Sequence, residues 1–248
     1  MSTLSLTFTL AFVLVVALVS MWQRLGLERD LLVGTVRAAV QLLAVGYVLN
    51  WVFGTDSWLG IGIMLTVMLA VAAHHAGKKG EGLPRVRLWT FVAIALAEVA
   101  TVGLMVVLGI IPLTAQYLIP ISGMVIGNAM VNAGLLLNRL QAEMTARRAE
   151  VEVWLCLGAT PRQASAAVLK AAVRASMIPS VDALKTVGLV QLPGMMTGQI
   201  LAGASPIEAV KYQILIMYSL AAAAAVSSIS LGLFCTARYF NRNAQLVV

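Results

Sequence analysis

EVEVWLCLGATPRQASAAVLKAAVRASMIPSVDALKTVGLVQLPGMMTGQ, residues 150–199, is the stretch on which the reading of this chain turns. It opens polar, with Glu150, Glu152, Arg162, Lys170 and Arg174, then passes without a break into apolar, glycine-rich sequence. Almost everything outside it is membrane-grade apolar. A long ordered polar interval in such a chain is where a membrane protein can meet a soluble partner.

Local signals divide the polar part into two helices. Residues 144–157 read as a helix that ends at Gly158, a residue that readily takes the left-handed conformation just past a helix end. Thr160 is a good N-cap and Pro161 is favoured at the first helical position, so a second helix starts there. Arg162, Lys170 and Arg174 are spaced by multiples of four and share one face. Ala164, Ala167, Val168 and Ala171 form the opposite, apolar face. An amphipathic helix on anionic lipid head groups would explain the two faces. It would not need the rigid bend at 157–161, which favours a protein partner.

Working outward, the 248 residues are 60% hydrophobic and 11% charged, against roughly 25% charged in ordinary soluble domains. Mean hydropathy is +0.93. The expected class is therefore all-α, a polytopic integral membrane bundle of one domain. Apolar runs predict about seven transmembrane helices, at 4–22, 31–53, 58–73, 88–111, 117–137, 186–201 and 210–235. The glycine-rich sixth is short. No basic segment precedes the first run, which reads as a retained span, not a cleaved signal. A polar loop is expected at 74–87 and the long one at 139–185. These loops, a short charged one at 23–30 and the tail carry most of the Lys and Arg residues, among them Lys78, Lys79, Arg85, Arg87, Arg139, Arg147, Arg148, Arg238 and Arg242, and the opposite turns carry none apart from Lys211 just inside the seventh span. The positive-inside rule then puts them in the cytoplasm with the C-terminus, and the N-terminus in the periplasm. The net charge of +7 belongs to that bias and implies no nucleic acid. Cys156 and Cys235 suggest neither a disulfide framework nor a metal motif.

Polar residues inside the spans are the candidates for a substrate pathway. Glu98 falls near mid-depth of the fourth span, where a carboxylate faces the bundle or water. Arg37 lies near the end of the second span and can snorkel. Asn128 and Asn132 share a face of the fifth, as pathway groups or as interhelical ties. In LPGMMTGQ, Pro193 and Gly194 interrupt a helix at membrane depth, which is tolerated where backbone is buried in protein or lines a cavity. Gly194 and Gly198 also have close-packing spacing. Met195, Met196 and Gln199 could offer soft or neutral ligands, although thioethers suit Cu(I) better than iron. His74 and His75 fall in the solvated loop, and no metal-site spacing of Cys, His and carboxylates is present, so the metal ligands stay unknown.

Here the residues carry a resemblance. Glu152-Val-Trp-Leu-Cys-Leu-Gly158-Ala159-Thr160 resembles the EAA loop of ABC transporter permeases, with Val153 in place of an Ala and the usual downstream Pro displaced to Pro179. Three further runs are similar to the FetB family of permeases, the bacterial iron export group, to which plant aluminium-tolerance permeases are related. They are RASMIPSVD (174–182), KTVGLV (185–190) and LPGMMTGQILAG (192–203). Matches at RAAVQL (37–42), PISGMVIGNAMV (120–131) and the terminal QLVV extend the likeness over nearly the whole chain. The resemblance implies a cell inner membrane permease, a homodimer, paired with a separate ABC ATP-binding subunit and exporting iron. It also implies that Glu152, Gly158, Ala159, Thr160, Pro161 and Arg162 form the coupling helix seated on that ATPase. The chain has no G-x-x-x-x-G-K-[ST] phosphate loop. ATP and Mg²⁺ would thus be held by the partner, with no catalytic residue and no cofactor here. An organic solute such as a nucleotide sugar, import instead of export, and a passive channel or scaffold stay open as alternatives.

Overall fold

The computed structural model describes residues 10–55, 58–241 and 243–247. Residues 4–9 of the first expected span, the turn residues 56–57, Arg242 and Val248 lie outside them. Two compact units divide the chain, Met1–Ser57 and Trp58–Val248.

The first unit holds α1 (Leu10–Gln23) and α2 (Glu28–Thr55). Ser20 ties their junction: its Oγ donates to Glu28 Oε1 at 2.8 Å and accepts from Leu27 N at 3.2 Å. The described part of α1 is 14 residues, about 21 Å at 1.5 Å per residue. The apolar window of α2 is wholly unburied within the chain, as expected of a helix surrounded by lipid or by another subunit.

The second unit is a helical bundle around one long helix. In order come α3 (Trp58–Gly77), a 3₁₀ turn (Lys78–Gly80), α4 (Val86–Glu98), a π turn (Val99–Gly103), α5 (Leu104–Val107) and α6 (Ala115–Ala146). Then follow α7 (Arg148–Cys156), α8 (Pro161–Ala164), α9 (Ala166–Thr186), α10 (Gly194–Leu201) and α11 (Pro206–Thr236). Helix α6 packs against α3, α4, α9 and α11. Among the described residues five helices are long and apolar enough to cross a membrane: α2, α3, α4 with its continuation, α6 and α11.

The core sits at the end of the bundle that carries the basic residues. Leu136, Leu137, Leu140 and Met144 of α6 meet Val151, Val168, Ala172, Leu231 and Cys235 there. At the same end Arg238 stands 5.0 Å over the Trp89 ring, which packs on Phe234 at 5.1 Å. The expected tail is ordered: Val247 N donates to Tyr239 O at 2.7 Å, and Phe240 and Leu246 pack on the core.

Two expectations need correcting. His74 and His75 do not lie in a loop; they occupy the last turn of α3. More important, the helix expected from Thr160 onward does not stand apart in a polar loop, and 186–201 is no single helix. Helix α6 runs on to Ala146, taking Met144 from the helix expected at 144–157, so that α7 starts at Arg148. Helix α9 then enters the bundle beside α6 and α11. Its buried ridge is Val168, Ala172 and Ser176, continuing Ala164 of α8, while Ala167 faces out. Ser176 Oγ meets Ser228 Oγ at 3.1 Å, and Ser180 Oγ donates to Asn132 Oδ1 at 3.4 Å. Residues 187–193 break the path, and α10 resumes packed on α11, across a cavity from Gln116, Tyr117 and Pro120 at the far end of α6. The expected sixth span thus falls on two helices, the end of α9 and α10, with a break between them. The charged residues Arg174, Asp182 and Lys185 hid α9 from a hydropathy reading.

Close approach of α9 and α11 depends on Gly232. A Cβ built there would lie 2.5 Å from Leu169 Cδ1 and 3.7 Å from Leu136 Cδ2. Gly232→Val should therefore cost about 1–3 kcal/mol through overpacking. A lowered thermal midpoint of the purified protein in nanodiscs would show it; an unchanged midpoint would contradict this packing.

Candidate functional site

At the basic end, α7 and α8 form the bend foreseen from Gly158, Thr160 and Pro161. Gly158 has φ +87°. Ala159 N donates to Trp154 O and Gly158 N to Leu155 O, both at 3.0 Å, so α7 closes with the paired hydrogen bonds of a Schellman motif. Four residues later the chain is helical again. Thr160 Oγ1 accepts from Gln163 N at 3.3 Å, and Gln163 Oε1 accepts from Thr160 N at 2.9 Å. This capping box has Pro161 at the first helical position. Gln163, three residues after the cap, was the unread signal.

The bend leaves apolar side chains in the open. Val153, Trp154 and Leu157 are 58%, 50% and 75% exposed. A hollow of about 500 Å³ lies beside them, lined by Trp154, Leu157, Gly158, Ala159, Gln163 and Ala166. Glu152 is held by Arg148 Nε at 2.9 Å on the exposed side of α7. Arg162 lines a second cavity of about 530 Å³ between α8 and the end of α11, with Phe240 and Asn241 on its far wall. Large apolar side chains exposed together at a charged end mark an interaction surface.

Deeper in the bundle, the asparagines are engaged. Asn128 Nδ2 donates to Leu220 O at 2.8 Å, and Asn132 Nδ2 donates to Asn128 O at 2.8 Å. With Ser180 they form a chain of hydrogen bonds from α9 through α6 to α11, which is the tying role. Met195 and Gln199 line a cavity of about 670 Å³ between α10 and the start of α6. Met196 is half-buried on the same helix. Glu98 is 9% exposed and ends α4 just before the π turn. The structure does not gather these residues at one point: Glu98 meets α6 at Ser122, the α10 group lines a separate cavity with residues 116–124, and the asparagines lie further along α6.

The break between α9 and α10 has an unusual exposure. Ser180 is level with Asn132, inside the apolar part of α6, and α9 continues from there toward the middle of that segment. Yet Asp182 and Lys185, paired at 3.1 Å, are 57% and 68% exposed. Beyond them Leu189 and Val190 are 90% and 85% exposed on a non-helical backbone. Neither an ion pair nor unwound backbone is stable against lipid. This face of α9 and the break after it therefore border water or another protein surface.

Residues 3–240 match the family described as "Uncharacterised protein family (UPF0014)". The chain belongs to this family of membrane proteins. It is 46% identical to the UPF0014 membrane protein YjkA of Bacillus subtilis, over 99% of this chain and 98% of that protein. It is 38% identical to the protein named "Probable iron export permease protein FetB" of Escherichia coli, over 98% and 94%. It is also 38% identical to the protein named "Protein ALUMINUM SENSITIVE 3" of Arabidopsis thaliana, over 96% and 87%. No solved structure matches.

Exposure of the break is testable by labelling. With exposed Cys156 replaced by Ser, a Leu189→Cys variant in membranes should react with a membrane-impermeant thiol reagent. Val131→Cys on the apolar face of α6 serves as the unreactive control. Equal protection at both positions would mean that the break is sealed in lipid or protein.

Proposed function

We propose that this chain is the permease subunit of an ATP-driven exporter whose ATP-binding subunit is a separate polypeptide. The carrying observation is the α7–α8 bend, which sets Val153, Trp154 and Leu157 in the open at the basic end. Glu152, Gly158, Ala159, Thr160, Pro161 and Arg162 then have divided roles. Gly158, Ala159, Thr160 and Pro161 fix the bend; Glu152 and Arg162 offer charge beside the apolar patch. The ATPase binds ATP and Mg²⁺ and hydrolyses ATP, because this chain supplies no phosphate loop.

Two copies of the chain and two ATPase subunits would form the working unit. The Lys and Arg distribution supports a cytoplasmic C-terminus and a periplasmic N-terminus in a bacterial inner membrane. Iron is the proposed cargo, supported by the printed name of the Escherichia coli relative. ATP-driven approach of the ATPases moves the α7–α8 bends. Helix α9 carries that movement to the break at 187–193, where the pathway would switch between its two openings. Met195, Met196 and Gln199 lie just beyond the break on α10.

Gly158→Pro should abolish association with the ATPase while leaving membrane insertion intact. Proline cannot adopt φ +87°, and it lacks the N–H that meets Leu155 O. Trp154→Ser should weaken the same association on the order of tenfold or more, as for a buried aromatic anchor. Co-purification of the differentially tagged ATPase reads both variants. Unchanged yield from both would sink the docking assignment.

A further inference from the structure

Glu98 is the one buried side chain among the described residues that brings a carboxylate into the membrane-spanning bundle. Both of its oxygens are fully enclosed, and neither has a hydrogen-bond partner. None of the ion pairs of the described residues includes it. The Ser122 hydroxyl of α6 is close enough to donate toward the carboxylate, but the contact falls short of full hydrogen-bond geometry and is the one polar approach to it among the described residues.

The surrounding backbone is irregular at the same point. Helix α4 widens into the π turn at Val99–Gly103 directly after Glu98. Such single turns recur at functional sites. Thr101 Oγ1 donates to Ala97 O at 2.7 Å, with Glu98 O at 3.4 Å, and so supplies a donor to the carbonyls at the distortion. The carboxylate gets no such help. A third enclosed acceptor, Gln213 Oε1 on α11, also lacks a donor. Helices α6 and α11 run in parallel register, with Asn128 bonded to Leu220 and Leu136 beside Gly232. That register places Gln213 within about one helical turn of the height of Ser122.

These enclosed atoms are oxygens with a surplus of lone pairs and no positive charge among them. A site of this kind suits a hard cation, which takes carboxylate, hydroxyl and amide oxygens and does not need thiolate or imidazole. Among the described residues no group of three or more His, Cys, Asp or Glu converges anywhere, so Glu98 is the one charged ligand here and the other donors are neutral oxygens. We propose that Glu98 and Ser122, with Gln213 at the same level, form a binding site for a hard divalent cation inside the bundle of each chain. Resting on the permease reading, this site is where the pathway meets the charge of its cargo.

Mn²⁺ is a suitable probe, being hard and paramagnetic. The permease alone, in nanodiscs of neutral lipid, is titrated with Mn²⁺ and the free ion is followed by electron paramagnetic resonance. One saturable site per chain is expected, competed by Fe²⁺ and not by Ag⁺. Glu98→Gln should weaken it on the order of 100-fold and Ser122→Ala on the order of tenfold, the range known for lost ligand support. If Glu98→Gln does not yield folded protein, Glu98→Asp and Ser122→Ala carry the test. Equal binding by wild type and variants would place Mn²⁺ elsewhere and overturn the proposal. Absence of a saturable site in the wild type would overturn it too, leaving Glu98 as a neutral acid. The ATPase is absent from this experiment. A failed permease assignment would show instead as lost complex formation with Mn²⁺ binding intact.

Discussion

The seating of α9 against α6 and α11 is the interaction on which the rest of the molecule depends. It is made by the Leu169–Gly232 contact, the Ser176–Ser228 pair and the relay Ser180–Asn132–Asn128–Leu220. Single interhelical hydrogen bonds in membranes are modest, about 0.6 kcal/mol on average. Small residues let the helices come close enough for several to act together. Helix α9 follows α8 with only Ser165 between them and runs to the break at 187–193. The exposed bend and the break are therefore joined by one packed helix, and in the proposed mechanism the movement passes along it.

The two ends of the bundle differ in character. The basic end holds the core cluster, the Trp89–Arg238 contact and the folded-back tail. It is a rigid base behind the docking bend. The opposite half holds the irregular features: the π turn after Glu98, the unwound segment 187–193 and the short α10. Irregular backbone at membrane depth needs protein or water around it. Its concentration in one half supports placing cargo recognition there and ATPase docking at the other end.

Much of this was readable in the residues. The apolar runs marked the five long apolar helices, and Gly158, Thr160 and Pro161 marked the bend, because helix ends have short-range chemistry. The polar positions Glu98, Asn128 and Asn132 stood out by type. Their partners did not, since Leu220 O reaches Asn128 across 92 residues. The helix after Thr160 was foreseen but its place was not: hydropathy counts Arg174, Asp182 and Lys185 against a span and left it in a cytoplasmic loop, whereas packing in the bundle needs only the ridge at 168, 172 and 176. The π turn has no sequence signature of its own. The tail order could have been suspected from Phe240 and Leu246 flanking a turn of polar residues.

The central claim is a permease driven by a separate ATPase through the α7–α8 bend. Its most direct test is the ATP hydrolysis rate of a co-expressed ABC ATP-binding subunit from the same genome, measured in nanodiscs with the permease, with and without Fe²⁺. The account predicts a stable complex whose hydrolysis rises with Fe²⁺, and no such rise for the ATPase alone. A complex that does not form, or a rate indifferent to both permease and metal, would contradict it.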